Sequence, residues 1–169
     1  MSKSKGGFTL LEMVVVAAVS IILLAGASRL LWHTTQVSTG LLARQEALES
    51  ARVAVDVLTV NIQMAERITL NTDPDGMLRR LDVLQISPEN IPWEYTFRYD
   101  RNASPGSPAY KRLNFGGYNE LASHLSEVRL ILSPDRQLIH ITVTTDEILG
   151  EPITLTGTVD IRYKVLIMR

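Results

Sequence analysis

The sequence contains no cysteine among its 169 residues. Disulfide bonds, thiolate zinc sites and thiol catalysis are therefore excluded. No proline occurs between Phe8 and Arg67, so no residue in that stretch interrupts a helix by removing a backbone hydrogen bond. Positive charge is not in excess either, because 17 Lys and Arg accompany 18 Asp and Glu. The net charge of −1 gives no indication of a general nucleic-acid-binding surface.

The sequence also lacks the short motifs of common enzymes. It contains no Walker-type phosphate loop, no G-x-G-x-x-G and no G-x-S-x-G. His33, His124 and His140 are isolated from one another along the chain. The turn cluster at residues 71–76 contains two aspartates, but their spacing does not fit an EF-hand loop and ordinary turn chemistry accounts for them. We therefore expect no enzymatic activity, no metal and no cofactor.

The N-terminal segment combines a basic leader with a long apolar run. Lys3 and Lys5 come first, and an almost unbroken apolar run extends from Val14 to Ala27. About 20 apolar residues cross a bilayer core of roughly 30 Å, and an excess of Lys and Arg marks the cytoplasmic flank. Glu12 stands out beside this run, because a carboxylate in hydrocarbon costs roughly 2.5 kcal/mol or more. We expect Glu12 to have a function and a partner.

The sequence GGFTLLE at residues 6–12, followed by Met13 and three valines, resembles the N-terminal processing motif of type IV pilins and pseudopilins. The resemblance implies that a prepilin peptidase cuts between Gly7 and Phe8 and methylates the new N-terminal Phe8. Glu12 then becomes the fifth residue of the mature chain. It is expected to pair with the N-terminal amine of a neighbouring subunit, which sets the axial register of the assembly. The cut removes both leader lysines and leaves a side-chain net charge of −3.

The resemblance also implies four parts: a leader at 1–7, a transmembrane and assembly helix at 8–32, its amphipathic continuation at 33–67 and a globular β domain at 68–169. It implies a structural subunit of a type IV pilus or a type II secretion pseudopilus-like fibre. The subunit would be anchored in the inner membrane with its N-terminus cytoplasmic and its C-terminal domain outside. Expected partners are other pilin or pseudopilin subunits, the prepilin peptidase and an inner-membrane assembly platform, whereas nucleic acid is not expected.

Residues 51–65 are similar to the corresponding helix of PilW-type minor pilins and J-type pseudopilins. Major pilins of many bacteria end in a disulfide-bounded loop, and a chain without cysteine departs from that pattern. We therefore expect a minor, priming or tip-associated subunit.

Two other interpretations of the N-terminal segment remain open. Ala25-Gly26-Ala27 could serve as the cleavage site of a conventional secretory signal peptide. Residues 8–28 are also long enough for a plain single-pass anchor. The protein would then be an exported or membrane-anchored binding module for a surface, a secreted cargo or DNA. Neither interpretation accounts for the sequence GGFTLLE.

Helical periodicity continues beyond the apolar run. Positions 37, 41, 44, 48, 51, 55, 58, 62 and 65 recur at helical spacing and are apolar except for Arg44. This stripe needs a surface to cover it. We expect the helix to end between Arg67 and Leu70, because the turn cluster follows.

After the turn cluster, apolar residues recur at every second position, which predicts antiparallel strands. We expect strands at 81–86, 93–99 and 110–115, a helical turn at 121–125, a hairpin of 128–132 with 139–143, and a long strand over 158–168 inside the sheet. The alternating aromatic residues of 93–99 could form a nucleic-acid stacking platform, but we favour packing in the core.

The loop at 100–108 has the composition of an exposed, adaptable segment, and it is the candidate binding loop. Its candidate contact residues are Arg101, Asn102 and Ser104. The predicted fold class is α+β, with a long N-terminal helix packed on an antiparallel sheet of four to six strands.

Overall fold

A computed structural model of the chain describes residues 9–105, 107, 111–116, 119–147, 151–162 and 164–168. The chain divides into two compact units, residues 1–42 and 43–169. One helix, α1, spans Leu10–Met64. The described part then contains strands β1 (Arg67–Thr72), β2 (Leu78–Ile86), β3 (Pro92–Tyr99), β4 (Leu113–Phe115), β5 (Asn119–Ala122), β6 (Leu125–Leu132), β7 (Leu138–Thr145), β8 (Thr154–Asp160) and β9 (Val165–Met168). The predicted α+β class with a long N-terminal helix is confirmed.

The first unit contains the N-terminal part of α1. Every side chain from Leu10 to Thr39 is exposed within the chain. This part of α1 includes a stretch long and apolar enough to cross a membrane, none of which is buried by the rest of the protein. Water is a poor solvent for so much contiguous apolar surface. Lipid or other protein chains around this stretch would remove that surface from water.

The second unit contains the C-terminal part of α1 and two sheets. One sheet has the strand order β5-β4-β3-β2-β1-β9 and the other has the order β6-β7-β8. Neighbouring strands are antiparallel except β1 and β9, which are parallel. The larger sheet is therefore mixed, whereas the smaller sheet is wholly antiparallel. The chain passes from β8, at an edge of the smaller sheet, to β9, at an edge of the larger sheet.

The core of the second unit forms where α1 packs on the sheets. The second half of the predicted apolar stripe is covered, because residues 51, 55, 58, 62 and 65 are buried. The first half is not covered within the chain, since Val37, Leu41 and Leu48 are exposed. Alternate strand residues complete this core, among them Leu81, Val83, Phe97, Tyr99, Ile139, Ile141, Val143 and Val159. The ring of Phe115 contacts those of Tyr95 and Phe97, with centroids 5.6 and 5.3 Å apart. The aromatic alternation of β3 is therefore mainly a packing pattern.

The expected end of the helix is wrong by a few residues. Helix α1 ends at Met64, and Arg67–Thr72 forms β1 between β2 and β9. Two interactions stop the helix early. The ammonium of Lys164 donates hydrogen bonds of 2.6 Å to the carbonyl oxygens of Gln63 and Ala65, and Ile68 and Leu70 are fully buried in strand alternation. Tertiary pairing outweighs local helical propensity here.

The long strand expected at 158–168 is also wrong, because the chain changes sheets within it. β8 ends at Asp160, and β9 begins at Val165 in the other sheet. Asp160 helps to turn the chain by accepting hydrogen bonds from the Arg162 backbone N–H and guanidinium. Both strands lie at sheet edges rather than inside a sheet.

The remaining strand expectations have mixed outcomes. The strands at 81–86 and 93–99 and the hairpin of β6 with β7 are confirmed. The helical turn at 121–125 is wrong, because β5 and β6 occupy that segment. His124 lies between these two strands with a φ of 57°, in the left-handed region, where the chain passes from one sheet to the other. Of the strand expected at 110–115, only Leu113–Phe115 is a strand, and residues 108–110 lie outside the described part.

Candidate functional site

The first turn of α1 contains a reciprocal set of hydrogen bonds between Thr9 and Glu12. The Glu12 backbone N–H donates to Thr9 Oγ1 at 3.3 Å. In return, Glu12 Oε2 accepts from the Thr9 backbone N–H at 3.1 Å and from the Thr9 hydroxyl at 3.3 Å. This arrangement is a capping box, in which residues three apart satisfy backbone donors that the helix leaves free. Glu12 thus has a partner within its own chain.

The capping box changes the account of Glu12 in the membrane. Its carboxylate lies at the helix N-terminus, where the partial positive charge of the backbone N–H groups favours an anion. Two hydrogen bonds and this dipole reduce the cost of placing the carboxylate beside lipid. Sequence reasoning missed the intrachain partner, although the T-x-x-E spacing indicates one. The expected partner on a neighbouring subunit stays a prediction.

The two predicted processing residues, Gly7 and Phe8, lie outside the described residues. Phe8 is covalently bonded to Thr9, so cleavage before Phe8 would create an amino group one residue from the backbone N–H that Glu12 accepts. The segment after Glu12 is apolar and exposed, beginning with Met13 and Val14. An acidic group, a new amine and an unpartnered apolar helix would therefore meet at one end of the chain.

The predicted binding loop borders a cleft of about 460 Å³ in the second unit. Arg101 and Asn102 line this cleft, whereas Ser104 does not. The carbonyl of Ser104 instead accepts the Ser107 backbone N–H at 2.9 Å, which closes a turn. The other lining residues come from the turn after β1, from β2 and from β3 and β4: Asp73, Met77, Leu78, Arg79, Arg98, Tyr99, Asp100 and Asn114.

Charged groups of both signs surround the cleft. Arg79 is ion-paired with Asp73, and Arg101 reaches Asp75 at 3.4 Å. Gly76 makes this turn possible with a φ of 80°, and a Cβ there would lie 2.9 Å from the Ile131 side chain.

Tyr99 is a buried polar group at the base of the cleft. It is 2% exposed, and its hydroxyl donates a hydrogen bond of 3.0 Å to the Leu125 carbonyl. Burial, with added repulsion from the carboxylates of Asp146 and Glu127, raises the pKa of Tyr99 well above its usual value. The phenol is therefore a fixed hydrogen-bond donor. Within the described ranges, no three His, Asp or Glu side chains converge on a metal position.

Comparison with known proteins bears on the N-terminal segment. Residues 2–28 match the family described as the prokaryotic N-terminal methylation motif. No curated protein and no solved structure matches the chain. The matched segment includes GGFTLLE, the capping box and the start of the exposed apolar helix. The match agrees with the resemblance of residues 6–12 to the N-terminal processing motif of type IV pilins and pseudopilins.

Proposed function

We propose that the protein is a structural subunit of a type IV pilus or type II secretion pseudopilus-like fibre, held in the inner membrane before assembly. The observation that supports this best is the exposed apolar helix that begins at Leu10 with Glu12 in its first turn. A plain anchor needs the apolar residues but not the acid. A subunit that exchanges lipid for neighbouring helices has a use for both.

The proposed mechanism has two stages. In the membrane, the capping box satisfies the carboxylate of Glu12 through Thr9. In the fibre, the cleaved N-terminal amine of a neighbour provides a positive partner for Glu12, and the charge pair fixes the axial position of each subunit. A desolvated ion pair of this kind is favourable only when its geometry is well matched. The axial register of the subunits is therefore fixed as they assemble.

We further propose the leader boundary at residue 7, a membrane helix at 8–32 and a minor, priming or tip-associated position. The absence of cysteine and the likeness of residues 51–65 to the helix of minor subunits support the last point.

Processing can be tested by intact-mass spectrometry of the protein expressed with a prepilin peptidase. The mature chain should begin at Phe8 and carry one additional methyl group. Gly7→Trp should leave unprocessed precursor in the membrane, because a bulky side chain blocks close approach of the backbone to the protease. Gly6→Ala is the matched control and should be processed normally. A chain that begins near Ser28 would instead support a secretory signal peptide.

Assembly can be tested separately by replacing Glu12 with Ala. The variant should insert and be cleaved, but it should be depleted from sheared fibres, as measured by immunoblot of the fibre and membrane fractions. Glu49→Ala removes an exposed carboxylate from the same helix outside the apolar segment and should assemble normally. Normal incorporation of Glu12→Ala would refute the proposed role of this residue.

A further inference from the structure

We propose that the cleft beside residues 100–102 binds a carboxylate group from an acidic segment of a partner protein, with Arg98 as its main contact. The cleft lies wholly within the second unit, and the proposal does not depend on how the N-terminal helix is used. It assigns a ligand class to the predicted binding loop and adds Arg98, which sequence reasoning did not single out.

Among the described residues that line the cleft, Arg98 is an arginine without an ion-pair partner. It is exposed on β3 and lines the cleft, and no hydrogen bond or ion pair engages it in the described part of the chain. In the strand register Arg98 lies directly opposite Arg80. Like charges at opposed positions destabilise a sheet. Arg80 is compensated by Asp82, because both carboxylate oxygens of Asp82 accept from the Arg80 Nε at 2.8 Å. No described carboxylate compensates Arg98 in this way.

The neighbouring arginines leave donors available. Arg79 contacts Asp73 through Nε, and Arg101 contacts Asp75 through one terminal nitrogen. A guanidinium has further N–H groups beyond those used here. The side chains of Arg79 and Arg101 are 62% and 53% exposed, so their ion pairs are weak and adjustable. An incoming carboxylate can therefore gain donors from more than one arginine.

The surrounding charges favour a single carboxylate over an extended polyanion. Asp73 and Asp100 line the cleft and Asp75 borders it, so a nucleic-acid backbone would meet carboxylates beside each arginine. One carboxylate fits between them, because the planar guanidinium of Arg98 can bind both of its oxygens.

The other features of the cleft match a peptide. The carboxamide of Asn102 is exposed beside the arginines and can both donate and accept, as recognition of a peptide backbone requires. The volume of about 460 Å³ lies within the range of roughly 300–1,000 Å³ found for small-ligand sites. The cleft therefore suits a short acidic segment better than an isolated anion.

The test uses the full chain in detergent micelles and the fluorescence anisotropy of a labelled, C-terminally amidated hexapeptide of alternating Asp and Gly. The matching Asn-Gly hexapeptide is the uncharged probe. The Asp-Gly peptide should bind more tightly, and Arg98→Gln should weaken its binding about tenfold or more, since a charged hydrogen-bond donor is lost. Arg98→Lys should give an intermediate loss, because it keeps the charge without the planar fork.

Arg162→Gln is the matched control, because Arg162 is also a surface arginine but is paired with Asp160 away from the cleft. It should bind the peptide as the unmodified chain does. Circular dichroism of each variant verifies folding, and Arg98→Lys provides the comparison if Arg98→Gln fails to fold. Equal binding of the Asp-Gly and Asn-Gly peptides would overturn the proposal. So would unchanged binding by both Arg98 variants, or preferential binding of a single-stranded oligonucleotide that depends on Arg98.

Discussion

Gly157 lies where β8 comes close to α1, and adding one methyl group there tests the packing of the helix on the sheet. A Cβ at this position would lie 3.0 Å from Val55 Cγ1 and 3.2 Å from Thr59 Oγ1. Carbon atoms normally pack about 3.5–4.0 Å apart. Val55 is β-branched and has little rotameric freedom in a helix, so it cannot turn away. Gly157→Ala must therefore move the strand from the helix by several tenths of an ångström.

The expected cost follows from two opposing contributions. Overpacking a core typically costs about 1–3 kcal/mol. Replacing glycine with alanine restricts the unfolded chain and recovers about 0.4–1 kcal/mol. We expect Gly157→Ala to lower the free energy of unfolding by about 1–2 kcal/mol. Gly157→Val should cost more, because two further methyl groups enter the same space.

The free energy of unfolding can be measured by urea denaturation of the full chain in detergent, followed by near-ultraviolet circular dichroism. Gly26→Ala is the control, because a Cβ at Gly26 meets nothing within 4 Å. Gly157→Ala should lower the free energy of unfolding by less in a chain that already carries Val55→Ala, because removing Val55 Cγ1 makes room for the new methyl group. A neutral or stabilising Gly157→Ala, or strict additivity with Val55→Ala, would refute the reasoning.

Two further predictions concern Tyr99, at the end of β3, and Lys164, which contacts the end of α1. Tyr99→Phe should cost about 1–3 kcal/mol at neutral pH, because the Leu125 carbonyl loses its buried donor. Because burial raises the pKa of Tyr99, the folded chain keeps a proton that the unfolded chain releases above about pH 10. Stability should therefore fall as pH rises beyond about 10, and urea denaturation should show a shallower fall in Tyr99→Phe; an equally steep fall would contradict this. Lys164→Met should expose the end of α1 by removing the donor to the carbonyls of Gln63 and Ala65. Amide exchange of residues 60–66, measured by mass spectrometry, should quicken up to about fivefold, consistent with about 0.3–1 kcal/mol. Lys111→Met, which removes an ion pair with Asp146, should leave that exchange unchanged.

Features that depend on residues close together in the chain could be predicted from the sequence. The apolar run and the long helix follow from composition and helical period. The capping box was missed, although the T-x-x-E spacing of Thr9 and Glu12 indicates it. The hairpin of β6 with β7 follows from alternation on both sides of a turn. These features arise from hydrogen bonds and burial patterns that repeat over a few residues.

Contacts between remote segments fix three other features: where α1 stops, how the last residues divide between two sheets and which charged groups share the cleft. Lys164 is distant in sequence from the helix end that it caps. Asp73 lines one cleft with Arg98 and Arg101, although it is distant from them in sequence, because β2 pairs with both β1 and β3. Pairing partners and sheet edges depend on contacts between remote segments, whose free energy can outweigh local propensity, and no short window of sequence contains those contacts.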